Sequence, residues 1–164
     1  MVSTGLAGSE DRTAVAALVA ESVGHLGATR DAGAIEEAAA ALTAPHGRIG
    51  PFCILARDGT GALGFAAFSG LLPVEDGRWG LFLQLLFVTA RARGKGVSRL
   101  LMAALARFAV EGGYIRLDWN AIPGNAPALG LYASLGLPVF DRVYYRLQGD
   151  RLAEAAATWP ERLT

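Results

Sequence analysis

The sequence predicts an α/β protein with one mixed, mostly antiparallel twisted sheet flanked by helices, and three observations carry that prediction. Apolar residues recur at helical spacing around residues 10–22, 31–42 and 97–108. The turn signal Asp58-Gly59-Thr60-Gly61 joins two strand-like runs, and Leu81-Phe82-Leu83-Gln84-Leu85-Leu86-Phe87-Val88 is a nearly continuous apolar stretch suited to a central strand buried on both faces. Strands that begin as a hairpin and then interleave with helices imply one sheet. With 164 residues and no linker or internal repeat, the chain reads as a single domain over 1–164.

In order along the chain, Glu10-Asp11 opens a first helix with Val15, Leu18, Val19 and Ser22 on one face, and an Ala-rich helix follows over 31–42. Pro45, Gly47 and Gly50 break the chain, with His46 as a loop residue between them. The hairpin then runs from Pro51–Arg57 to Ala62–Leu72. A loop over 73–77 leads into the apolar strand, and the next helix carries Val97, Leu100, Leu101, Ala104, Leu105 and Phe108 before Gly112-Gly113 stops it. A short strand over 114–119, a short helix over 125–135, a last strand over 139–147 and a tail helix over 150–158 complete the reading.

Composition removes several classes of function. Hydrophobic residues make up 52% and charged residues 18%, which excludes a disordered or collagen-like chain. The 15 basic and 15 acidic residues cancel, so there is no surplus of cations for nonspecific nucleic-acid binding. The one cysteine, Cys53, has no partner for a disulfide or a zinc cluster and lies in the apolar run Phe52-Cys53-Ile54-Leu55, where an inert buried thiol is expected; no metal is expected. The first residues lack the basic and apolar regions of a signal peptide, and no apolar stretch reaches the ~18 residues of a membrane span. A cytoplasmic protein without a membrane partner is the expectation.

The local chemistry concentrates at two places. After Val88 the chain passes through Thr89-Ala90-Arg91-Ala92-Arg93-Gly94-Lys95-Gly96 into the helix that opens with Val97 and Ser98. Free amides at a helix start attract anions, and glycines let the backbone approach a phosphate. Arg91, Arg93, Lys95 and Arg99 place four cations in nine residues without an acid, which suits a polyanionic ligand. A Walker A loop fails, because position 89 is Thr and position 96 is Gly, and a dinucleotide glycine motif fails at Arg99. On these residues alone the junction fits either an anion cradle or a solvated turn. The second place is Asn125-Ala126-Pro127-Ala128-Leu129-Gly130-Leu131-Tyr132, where a helix would put Asn125 and Tyr132 on one face about 10 Å apart. They either line an extended ligand or leave Tyr132 as a half-buried core aromatic.

Together and in this order, the two segments resemble the GCN5-related N-acetyltransferase (GNAT) family. Arg91, Gly94 and Gly96 match its [QR]-x-x-G-x-[GA] loop, and Asn125, Ala128, Tyr132 and Gly136 match its N-x-x-A-x-x-x-Y-x-x-x-G segment. The resemblance covers residues 80 to about 147 well. It implies a splayed strand pair with acetyl-CoA (CoA) between the strand ending at Val88 and the strand at 114–119. Backbone groups of Leu86 and Val88 would bond the pantetheine, and Arg91, Arg93, Gly94, Lys95, Gly96, Val97 and Ser98 would hold the pyrophosphate. Asn125 would contact the pantetheine arm, and Tyr132 would bind there and protonate the departing thiolate. A strand N–H near Val88 would stabilise the oxyanion while a small-molecule primary amine attacks directly in a ternary complex.

The likeness extends most to the diamine acetyltransferase-like branch, which commonly carries Leu-Glu-Asp where this chain has Leu83-Gln84-Leu85. Gln84 cannot attract a diammonium or take its proton, so an acceptor other than a polyamine is expected. Glu21, His25, Glu75 and Asp118 are candidates for a replacement base, each with a surface or paired-residue alternative. The resemblance also allows a homodimer. The readings that compete with a small-molecule enzyme are a noncatalytic acyl-CoA-binding or regulatory module and an enzyme acting on a protein or peptide amine.

Overall fold

The computed structural model describes residues 1–45, 47–141 and 143–159, so the loop expected at His46 lies outside the described residues. The chain divides into two units, Met1–Leu131 and Tyr132–Thr164.

The first unit is built on five strands in the order of the sequence: β1 (Ser3–Leu6), β2 (Phe52–Asp58), β3 (Gly61–Leu71), β4 (Gly80–Val88) and β5 (Leu117–Trp119). The pairs β1–β2, β2–β3 and β3–β4 are antiparallel, and β4–β5 is parallel. This is the mixed, mostly antiparallel sheet that the residue pattern predicts. The hairpin turns where expected, with Asp58 Oδ1 accepting from the Thr60 amide at 2.7 Å. β1 was not legible: its four residues are half-exposed or exposed on the sheet edge, without an alternating pattern.

Helices cover both faces. Helix α1 (Arg12–His25), entered through a 3-10 turn at Ser9–Asp11, packs with α2 (Ala32–Thr43) over one face. There Val15, Leu18 and Ala39 meet Cys53, Leu55, Phe65, Ala67 and Phe87. Helix α3 (Val97–Glu111) crosses β2, β3 and β4 on the other face, burying Val97, Leu101, Met102 and Leu105, while Leu100, expected on the apolar stripe, is exposed. Phe52, Phe68 and Phe108 form an aromatic cluster beneath it with centroids 5.0–5.3 Å apart. Strand β2, buried along Phe52–Ala56, therefore lies in the middle of two packed layers. Asp11 fixes the entry to α1: its carboxylate accepts two bonds from Arg57, at 2.7 and 3.1 Å, and one from the Gly8 amide at 3.1 Å.

Helix α4 (Ala126–Ser134) is capped by Asn125, whose Oδ1 accepts from the Ala128 amide at 3.3 Å. The boundary between the two units falls within α4, after Leu131. In the second unit α4 ends at Ser134, Gly136 follows with φ 64°, and α5 (Asp150–Thr158) forms the expected tail helix. The last strand expected over 139–147 is not found among the described residues. Val139, Phe140, Val143, Tyr144 and Tyr145 are exposed there instead. Apolar side chains in a short run suggest a strand, but a strand exists only through a ladder partner, and no ladder hydrogen bond is found among the described residues of this segment.

Candidate active site

The pairing of β4 creates the site. On one edge β4 is bonded to β3 over its whole length, and the register passes from Ala67↔Leu85 to Phe68↔Leu83, leaving Gln84 without a partner on β3. This is a β-bulge. On the other edge β4 meets β5 at Leu81↔Leu117, Phe82↔Asp118 and Leu83↔Trp119, and beyond Leu83 no strand pairs with it on that side among the described residues.

Which backbone groups face that open edge follows from the ladder. The Thr89 amide donates to the Leu63 carbonyl at 2.9 Å. Stepping back by two along an antiparallel pair, Phe87 and Leu85 also direct their backbone groups toward β3. Leu86 and Val88 therefore point theirs away. At the other end the Leu81 amide donates to the Arg116 carbonyl at 2.9 Å, on the β5 side. The bulge reverses the phase in between, so Leu81, Leu83, Leu86 and Val88 share the outward edge. Leu86 and Val88 are the two residues that the family resemblance assigns to the pantetheine.

The open edge runs into the start of α3. A 3-10 turn at Ala90–Ala92 is followed by Gly94 at φ 73° and Gly96 at φ 80°, the left-handed region that glycine enters without strain. A Cβ built on either would meet only open space. The first bond of the helix joins the Leu100 amide to the Gly96 carbonyl at 3.2 Å, so the amides of Val97 and Ser98 precede the helical ladder. The loop pattern also fits two residues later, as Arg93, Gly96 and Ser98 with serine in the small position. In that frame its glycine stands at the helix start.

The four cations do not act as one cluster. The Arg91 guanidinium donates to Thr60 Oγ1 at 2.7 Å and to the Ala62 carbonyl at 2.8 Å, which ties the loop to the β2–β3 turn. Arg93 Nε donates to the Val88 carbonyl at 3.1 Å, and its guanidinium lies 6.0 Å from the Phe87 ring centroid. Lys95 is exposed beside the two glycines.

The base candidates are dispersed. Glu21 accepts from the Ala90 amide at 3.3 Å, in the turn beyond the end of β4. His25 lies 6.0 Å from the Phe87 ring centroid, at the end of α1. Asp118, Asp76 and Glu75 gather on Arg116 at 2.8, 2.6 and 3.5 Å. Gln84 is exposed, and its Nε2 donates to Ser69 Oγ at 3.1 Å. Tyr132 is half-buried, and burial holds its phenol above the ordinary value of 10.0. Cys53 is fully buried in the core, and desolvation pushes its thiol up to about 12, so it is no nucleophile. Among the described residues no group of His, Cys, Asp and Glu could hold a metal ion, and no helix is long and apolar enough to cross a membrane.

A mixed sheet opened beside a bulged strand, with a glycine-bearing helix start at the end of the opening, is the arrangement that the family resemblance implies, and comparison with known proteins agrees. The family model of the acetyltransferase (GNAT) family matches residues 17–137, and the chain belongs to that family. Over 90 residues it is 33% identical to the L-ornithine N5-acetyltransferase NATA1 of Arabidopsis thaliana, a match spanning 54% of this chain and 40% of that protein. An integron cassette protein from the mobile metagenome of V. cholerae is 25% identical, with a TM-score of 0.74 over 96% of this chain and 98% of the other. The ribosomal-protein-alanine N-acetyltransferase of Brucella melitensis biovar Abortus 2308 has the same fold, at a TM-score of 0.74 and 23% identity over 91% of this chain and 100% of the other.

Proposed function

We propose that the chain is an N-acetyltransferase that moves an acetyl group from acetyl-CoA, as co-substrate, to a primary amine of a small molecule. The observation that carries this reading is the open edge of β4, which runs without a strand partner from the bulge at Gln84 to the glycine-bearing start of α3. An extended, amide-containing arm ending in a pyrophosphate fits such an edge. The outward groups of Leu86 and Val88 offer main-chain hydrogen bonds, as an added strand would receive. The amides of Val97 and Ser98, with Gly94, Gly96 and Lys95, offer an anion cradle. Arg91 braces this loop through Ala62, while Arg93 bonds the outward Val88 carbonyl and leaves the Val88 N–H to the ligand.

Chemistry then needs little from the protein. The neutral amine attacks the acetyl carbonyl; the new C–N bond forms, the C–S bond breaks, and the amine's extra proton passes to solvent. The sulfur leaves with its electron pair and takes a proton from Tyr132, which regains one from water. Tyr132 holds this role by its place in the family's motif, and its raised pKa keeps the phenol protonated. Asn125, which caps α4, is the candidate for contact with the pantetheine arm. The relative that acetylates N5 of ornithine supports a small amine as acceptor.

Acetyl-CoA with a panel of amines, read as release of free thiol, tests this. Amine-dependent thiol release is expected. Binding of CoA by calorimetry with no release on any small amine would refute the enzyme reading in favour of a binding module, and release only with a peptide N-terminus would move the acceptor to proteins.

A further inference from the structure

We propose that Gln84 and Ser69 read the acceptor, and that they select an amine carried beside a carbonyl or carboxylate, such as an amino acid or aminoacyl amide, over a diamine. This rests on the reading that the open edge of β4 holds acetyl-CoA.

The bulge is what presents Gln84. It leaves the residue unmatched on β3 and exposed, at the point where β4 loses its partner on β5. Bulges beside active sites commonly re-aim a side chain in this way. Its partner Ser69 stands on β3 opposite Phe82, so both members of the pair are carried by strands rather than by a loop.

A donor count then gives the ligand chemistry. An amide carries two N–H bonds and a carbonyl oxygen, and a serine carries one O–H. One N–H of Gln84 is used at 3.1 Å on Ser69 Oγ. The pair thus offers Gln84 Oε1 as an acceptor, and the second amide N–H and the Ser69 hydroxyl as donors. The acceptor suits an N–H of the attacking amine, and the donors suit the oxygens of an adjacent carbonyl or carboxylate. A diammonium has donors alone, so both donors of the pair would face donors.

The surrounding acids do not change this balance. Asp76 and Asp118 close on Arg116, with Glu75 at its edge, and Glu21 holds the Ala90 amide at the far end of the strand. Basicity points the same way. An alkyl ammonium titrates near ~10.4, leaving roughly one molecule in a thousand as free amine at neutral pH, whereas the α-amino group of an aminoacyl amide titrates near ~8.

The test compares parent, Ser69→Ala, Gln84→Ala and Gln84→Glu. kcat/KM is measured by thiol release for amino acids, aminoacyl amides and spermidine, and acetyl-CoA affinity by calorimetry. In the parent, the amino-acid class is expected to be preferred. Both alanine variants should lose at least about tenfold in kcat/KM for that class, through KM, with acetyl-CoA affinity held. Gln84→Glu should move the preference toward spermidine. Spermidine as the parent's best acceptor, or variants that rank and turn over the panel as the parent does, would overturn the inference while leaving the transferase reading intact. A parent that neither binds acetyl-CoA nor releases thiol would remove both.

Discussion

The guanidinium of Arg91 donates to the carbonyl of Ala62 across 29 positions of sequence, at 2.8 Å, and so joins the loop before α3 to the turn of the β2–β3 hairpin. Arg91 thereby has a bond that braces the fold, while Lys95, two residues beyond Arg93, stands exposed beside Gly94 and Gly96. The two should separate in experiment. Arg91→Ala is expected to lower stability by roughly 1 kcal/mol, a fall of ~2–4 °C in Tm for a chain of this size. Lys95→Ala should leave Tm in place and weaken CoA binding several-fold, with a smaller salt dependence of Kd. Equal loss of CoA affinity in both, at unchanged Tm, would put Arg91 on the phosphates after all.

Gly96 offers a sharper probe of the cradle. Its φ of 80° strains any side chain, and the space where a Cβ would go is open, which is where an anion must approach the helix start. Gly96→Val, alone or with Gly94→Val, should weaken CoA binding at least tenfold, or about 1.4 kcal/mol. Gly77, at φ 63° and equally open, controls for backbone strain away from α3. If Gly77→Val and Gly96→Val lose stability alike and neither loses CoA, the phosphates do not sit at Gly96.

Much of this was legible in the residues. The hairpin announces itself in Asp58-Gly59-Thr60-Gly61, and α3 in its 3.6-residue period, because both are local patterns. The turns at Gly94 and Gly96 were legible for the same reason: a positive φ is a demand that a single residue answers. What was not legible depends on distant neighbours. The bonds from Arg91 to Thr60 and Ala62 join segments about thirty positions apart, which the local run of cations does not record. The exposure of Gln84 comes from a one-residue mismatch between β3 and β4, which neither strand's composition records. The segment 139–147 has the side chains of a strand without a ladder, and β1 has a ladder on Arg57–Ile54 without the side chains that announce one.

The Asp11–Arg57 pair makes a prediction about acid. Hydrogen bonding by Arg57 holds the Asp11 carboxyl below its ordinary 3.8, although burial opposes this. A carboxyl lowered in the folded state contributes in full above its ordinary value, and that contribution is lost as pH falls through the lowered one. Asp11→Asn should therefore be less stable than the parent by about 1–3 kcal/mol near neutral pH, toward the lower end because the Arg57 side chain is 41% exposed. The gap should narrow as the solution is acidified below about pH 4. Urea midpoints for both proteins across that range measure it. A gap that is constant with pH would mean that the pair's charge contributes nothing.

Tyr132 is tested by removing one atom. Tyr132→Phe keeps the half-buried ring and deletes the hydroxyl, so Tm should hold while kcat falls ~10²–10⁴-fold, with acetyl-CoA affinity little changed. Its pKa bears on the pH profile as well. Because burial raises the phenol above 10.0, the donor stays protonated through the whole range in which an amine can be assayed. The parent's kcat should therefore show no falling limb from Tyr132 below about pH 10. A step that gates product release rather than chemistry would hide the effect at steady state, so single-turnover rates should be compared too. Matching single-turnover rates in Tyr132→Phe and the parent would assign the departing sulfur's proton to water and leave Tyr132 a packing residue of α4.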